Sequence, residues 1–177
     1  MKGTRAASRY AQSLLELAIE QNVLDAVRND MSYMGSVISD NRDLQLMLKS
    51  PIVSHDKKIA VLKTVFDTFH TLSNSFIELI GRNQREDLLP HIASGFDKLY
   101  KEYKGIVDVK ITSAKALDES TKSAILAKVS TAYKGDLVVK ENIDEALIGG
   151  VLVSVGDHQI DATVSRQFRD LRQVLLN

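Results

Sequence analysis

Three glycines, Gly149, Gly150 and Gly156, sit among branched aliphatics in the stretch IDEALIGGVLVSVGDHQIDATVSRQF, residues 143–168. Backbone amides beside such glycines could cradle a phosphate. A P-loop requires G-x-x-x-x-G-K-[ST], so that amides surround the phosphates and a lysine supplies charge. Gly150 and Gly156 are one residue too far apart for that pattern, and Asp157 and His158 stand where Lys and Ser/Thr belong. The dinucleotide pattern G-x-G-x-x-G is also missing. The same residues read better as backbone geometry. A strand over 148–155 leads into a tight turn around Gly156, Asp157 and His158 and a strand returning through Ile160, with Gly149 and Gly150 at a bulge or close backbone approach in the first strand.

The other chemistry-bearing residues are equally scattered. His55, His70, His91 and His158 form no i, i+4 pair, which argues against a metal site and for solvent-facing or capping roles. Ser54, His55 and Asp56 include the three residue types of a hydrolytic triad, but chain neighbours cannot converge as that relay requires, and a helix start is the simpler reading. Asp144 and Asp161 could be imagined as an acid/base pair. The competing reading, which we favour, has Asp161 capping the last helix and Asp144 ordering a loop. No catalytic residue, cofactor or metal is expected.

Composition sets the frame for the elements that carry these residues. The 177 residues are 44% apolar and 26% charged, with 23 basic and 23 acidic side chains and no cysteine. A balanced charge of this kind excludes a strong nucleic-acid or acidic-lipid footprint, and the absence of cysteine excludes disulfides and thiolate chemistry. Glu16 and Glu20 interrupt the apolar residues near the N-terminus, so no signal-peptide core forms, and no run is long enough to span a bilayer.

Helical periodicity governs the first part of the chain. Ala7, Tyr10, Ala11, Leu14, Leu17 and Ala18 form a stripe that Leu15 and Ile19 widen, enough to touch two neighbours. Further helices are predicted at 24–38, 43–49 (stopping before Pro51), from Ser54 through Phe69, from a cap at Thr71 or Ser73, and around Pro90 as far as Tyr103. At Gly105 the period changes to two, with Val107, Val109 and Ile111 alternating with polar residues. A helix capped by Asp118, strands at 137–139 and 148–155, and a last helix at 164–175 follow. The predicted fold is α+β: an N-terminal six-helix bundle, residues 1–104, then a small C-terminal α/β domain with a β-hairpin, residues 105–177.

Ile143-Asp144, Leu147-Ile148-Gly149-Gly150-Val151, Val153, Gly156, Ile160-Asp161 and Thr163-Val164 together resemble the C-terminal signature of the delta subunits of bacterial F-type ATP synthases, which are similar to the mitochondrial oligomycin-sensitivity-conferring protein. RYAQSLLELA near the N-terminus and GRNQREDLLP between the fifth and sixth helices resemble the same family at matching places. Glu145 stands where relatives often carry proline, and Ser165 where they often carry arginine. The spacing of the glycines and aspartates is unaffected.

The resemblance implies a non-catalytic stator subunit at the cytoplasmic face of the bacterial cell membrane, reaching the membrane only through its complex. It would hold the α/β head against rotation during ATP synthesis and proton transport. It also implies partners: an amphipathic N-terminal α-subunit helix laid between the first and fifth helices, and the C-terminal part of the b-subunit stalk on the C-terminal domain, with one copy per complex. Tyr10, Ala11, Leu14, Ala18, Phe76, Leu79 and Ile80 are the candidate groove residues. Core packing is the simpler reading for most of them, but surplus apolar surface on the first helix would mark a partner site. Gly149, Gly150, Gly156 and Asp161 are the candidate structural signature. A generic helical adaptor and a small nucleotide-binding enzyme are the alternatives.

Overall fold

The computed structural model describes residues 2–115, 117–132, 135–144, 147–156 and 158–175. Glu145 and Asp157 of the signature stretch lie outside the described residues. The fold is α+β, and the chain divides into two compact units, Met1–Tyr100 and Lys101–Asn177.

The first unit holds α1 (Lys2–Glu20), α2 (Leu24–Asp40), α3 (Arg42–Lys49), α4 (His55–Val65), α5 (Thr71–Arg82) and most of α6 (Leu89–Lys104), with a 3-10 turn at Glu86–Leu88 before α6. Each arises where apolar residues recur at three and four. In α2 the residues Leu24, Val27, Met31, Met34 and Ile38 are all buried in one core. α3 stops at Lys49 before Pro51, and its last turn is met by the buried Lys58, whose Nζ donates to the Leu48 carbonyl at 2.8 Å. A cation at a helix C-terminus is favourable, and this one is also hydrogen-bonded, as a buried charge must be.

Two expectations are corrected here. The fourth helix ends at Val65, so Phe66 and Phe69 lie beyond it, stacked 4.7 Å apart and buried in the core. The fifth helix is capped neither by Thr71 nor by Ser73. His70 occupies the cap, its Nδ1 accepting from Leu72 N at 3.2 Å. Asp30 on α2 explains the difference, because its Oδ2 accepts from Ser73 Oγ at 2.6 Å and from His70 N at 2.9 Å. The serine hydroxyl is thereby committed across helices rather than to its own helix end.

The second unit holds β1 (Ile106–Ser113), α7 (Glu119–Ala132), β2 (Asp136–Ile143), β3 (Gly150–Val155), β4 (His158–Thr163) and α8 (Val164–Leu175). The sheet order is β2-β1-β3-β4, with β1 and β2 parallel and the other pairs antiparallel. Parallel neighbours need a crossover, which α7 supplies. Its Val129 closes a small core with Val109, Ile111, Val153 and Val155. Asp118 caps α7 as the sequence predicts, accepting from Thr121 N at 3.3 Å and from the Ser120 and Thr121 hydroxyls. The Ser120 hydroxyl, followed by that of Thr121, holds the Asp118 carboxyl down at about 2. Among the described residues no helix is long and apolar enough to cross a membrane.

Candidate docking surfaces

The α1/α5 region is built on aromatic and small-residue packing. The Tyr10 ring meets Phe76 edge-on at 6.4 Å, and Asn83 Nδ2 donates to the Tyr10 hydroxyl at 3.4 Å, so the two helices are tied where α5 ends. Across α1, Ala11 faces Gly95 of α6, where an added Cβ would come within 3.5 Å of the alanine methyl. The wide stripe of α1 is therefore used largely inside the unit. Ala11, Leu14, Ala18, Phe76 and Ile80 are buried in the core. As surface lining, these five are corrected: packing from several neighbouring elements consumes the apolar area that the sequence left unassigned. Tyr10 is half-buried and Leu79 is 48% exposed, so these two reach solvent. Leu17, at 42%, joins them. The sequence contained a signal for Leu17, which lies two turns along α1 from Tyr10 on the same side.

On α5 the exposed leucine is framed by charge. Glu78 accepts from Lys63 of α4 and pairs with Arg82 at 3.7 Å, and the Lys63 contact holds its carboxyl below the usual range. Gly81 lets α4 approach, since a Cβ there would collide with Ile59.

The second candidate surface belongs to α8. Phe168 and Leu171 lie three apart on one side of this helix and are 63% and 55% exposed. Ile160 of β4, paired in register with Val153, is exposed as well. None of the three was singled out as a binding residue from the sequence, although Val164, Phe168 and Leu171 recur at the helical period.

The signature residues hold the scaffold of this surface. Gly150 opens β3 at φ +80°, where a Cβ would collide with the Ala162 carbonyl and lie 2.8 Å from Thr163 Cα. The close approach predicted at the glycine pair is thus present, but at the start of the strand rather than within it, and no bulge is required. Gly149 contributes its carbonyl, which accepts from Val164 N at 3.0 Å. Gly156 turns at φ +56° between the paired residues Val155 and His158. Asp161 does not cap α8 itself. Its Oδ1 accepts from Thr163 Oγ1 at 2.7 Å and Thr163 N at 3.0 Å, and Thr163 Oγ1 in turn accepts from Arg166 N at 3.2 Å. Thr163 is the cap because it immediately precedes the helix, and Asp161 orients it. The Thr163 hydroxyl, then its amide, lowers the Asp161 carboxyl below its ordinary range.

The groups that could be imagined for chemistry are engaged with other segments of the chain. Asp144 donates its amide to the Ser113 carbonyl at 2.9 Å, and His55 Nδ1 lies 2.6 Å from the buried Glu86 rather than in a relay with Ser54 and Asp56. The arrangement offers apolar contact and hydrogen bonding to other chains.

Comparison with known proteins places this geometry. The family model described as ATP synthase delta (OSCP) subunit matches residues 6–175. The ATP synthase subunit delta of Flavobacterium psychrophilum is 32% identical over 177 residues, covering all of both chains. That of Cytophaga hutchinsonii is 37% identical, covering 97% of this chain and 94% of the relative. That of Chlorobium phaeobacteroides is also 37% identical, covering 99% and 98%. In fold, the chain is similar to a chain of the Toxoplasma gondii mitochondrial ATP synthase hexamer, with a TM-score of 0.75, 20% identity and 97% coverage of each.

Proposed function

The chain belongs to the ATP synthase delta (OSCP) subunit family, as a non-catalytic component of the peripheral stalk, and on that premise we propose that its two units bind opposite ends of the stator. The first unit, read as a six-helix bundle over 1–104, takes the N-terminal helix of an α subunit along the α1/α5 face. Tyr10, Leu79 and Leu17 make the contact, and Ala11, Leu14, Ala18, Phe76 and Ile80 form the floor that fixes their positions. The second, over 105–177, takes the C-terminal part of the b subunit along α8, at the cytoplasmic face of the membrane and in one copy per complex. The observation that carries this reading is the presence of exposed apolar side chains on each of two separate units, Leu17 and Leu79 on the first and Phe168 and Leu171 on the second. Apolar helix faces of this kind fit the helix-in-groove mode of recognition. One molecule holding both ends makes each contact effectively intramolecular, so modest interfaces can resist torque.

Pull-down with the full chain tests this. Wild type is expected to capture both an α N-terminal peptide and a b C-terminal fragment. Leu79→Asp should lose only the first and Phe168→Asp only the second. Loss of both partners from either variant, or of neither, overturns the assignment. Residues 1–104 alone should fold and bind the α peptide without the stalk fragment.

A further inference from the structure

The α1/α5 face has one polar end, and its groups are hydrogen-bond donors. Tyr10 uses an oxygen lone pair to accept from Asn83, which leaves its O–H free to donate outward. The edge-on contact with Phe76 fixes the ring that carries it. Asn83 keeps a second amide hydrogen. Arg85 is exposed two residues further along, Arg82 shares Glu78 with Lys63, and the exposed Arg9 precedes Tyr10 on α1. Of the nearby acids, Glu86 is buried against His55 and Glu78 is already engaged by two cations.

Short of its last turn, a helix lying on this face has its backbone carbonyls satisfied internally, so the acceptor it offers along its length is a side chain. We infer that the Tyr10–Asn83 end of the face is a carboxylate subsite, selecting a docking helix that places Asp or Glu there. The inference rests on the docking reading above and adds a polar determinant to an otherwise apolar contact. A charge-assisted hydrogen bond beside arginine is the strong form of such an interaction.

The test uses the full chain and two synthetic peptides: the α-subunit N-terminal segment, and the same segment with each Asp and Glu replaced by Asn and Gln. Wild type should bind the acidic peptide about tenfold more tightly. Tyr10→Phe and Arg85→Gln should each remove most of that preference, with the melting temperature unchanged in Arg85→Gln and lowered only slightly in Tyr10→Phe, which also loses the weak bond from Asn83. Equal binding of the two peptides by wild type overturns the subsite. So does an equal loss for both peptides in Tyr10→Phe, which would mean that the hydroxyl only orients the ring. If wild type binds neither peptide, the docking reading fails and this inference falls with it.

Discussion

α1 and α8 are both amphipathic, yet they spend their apolar faces differently. α1 buries Ala7, Ala11, Leu14, Leu15 and Ala18 in a core shared with several other helices and leaves an edge that includes Tyr10 and Leu17 near solvent. α8 is anchored at its first turn through Thr163 and the Gly149 carbonyl, and then holds Phe168 and Leu171 out in water. Apolar periodicity therefore marks a face that something covers, without saying whether the cover belongs to the same chain. In α1 the cover is internal. In α8 the cover we propose is a partner.

The sharpest way to break this contrast is to place a charge on each helix. Leu14→Asp, or Ile80→Asp on α5, buries an unpaired carboxylate and is expected to cost the first unit about 4 kcal/mol or more in urea unfolding followed by circular dichroism. Phe168→Asp should fall within about 0.5 kcal/mol of wild type, because its side chain is already solvated. Equal losses in the two helices would mean that α8 packs as α1 does.

Gly150→Val asks whether the scaffold of α8 can be disturbed from the far side of the hairpin. A branched residue at φ +80° against the Ala162–Thr163 backbone is expected to cost about 3 kcal/mol and to weaken stalk binding while sparing the α peptide. Unchanged melting would show that the strand start can shift. A smaller effect belongs to the cap: Thr163→Ala should remove about 1 kcal/mol and fray the first turn of α8, visible as faster amide exchange at Arg166.

The smallest effect is a pH dependence. The Asp118 carboxyl titrates lower in the fold than in the unfolded chain, so its contribution to holding α7 is complete above the ordinary carboxylate range and is lost as pH falls towards about 2. Asp118→Asn should flatten that acid limb slightly, as read from acid titration of the helical signal.

Much of this was legible in the sequence, for physical reasons. Period decided α2 and β1, because one buried face forces the spacing of Leu24 to Ile38 and of Val107 to Ile111. Gly156 foretold the hairpin, and Asp118 foretold the start of α7. What stayed hidden were choices made between segments distant in the chain. Ser73 could not be seen to answer to Asp30, nor Phe66 and Phe69 to stack beyond a helix they seemed to continue. Among the groove candidates, the apolar stripe named the residues but not their depth. Leu14 and Leu79 look alike in sequence, and only the packing of other helices submerges one and leaves the other at the surface.

The sheet order also sets a schedule. Val109 at the centre of β1 pairs with Val139 on one side and with Val155 on the other, so this inner strand of the second unit is made first and must wait for both neighbours. Non-local pairing of this kind is slow, since loop closure must precede its reward, whereas helices form among chain neighbours. A growing chain that has not yet reached residue 150 can already present a folded first unit, while β1 keeps the edge meant for β3 open, the kind of edge that pairs with strangers. Synthesis thus finishes the surface proposed for the head before the one proposed for the stalk.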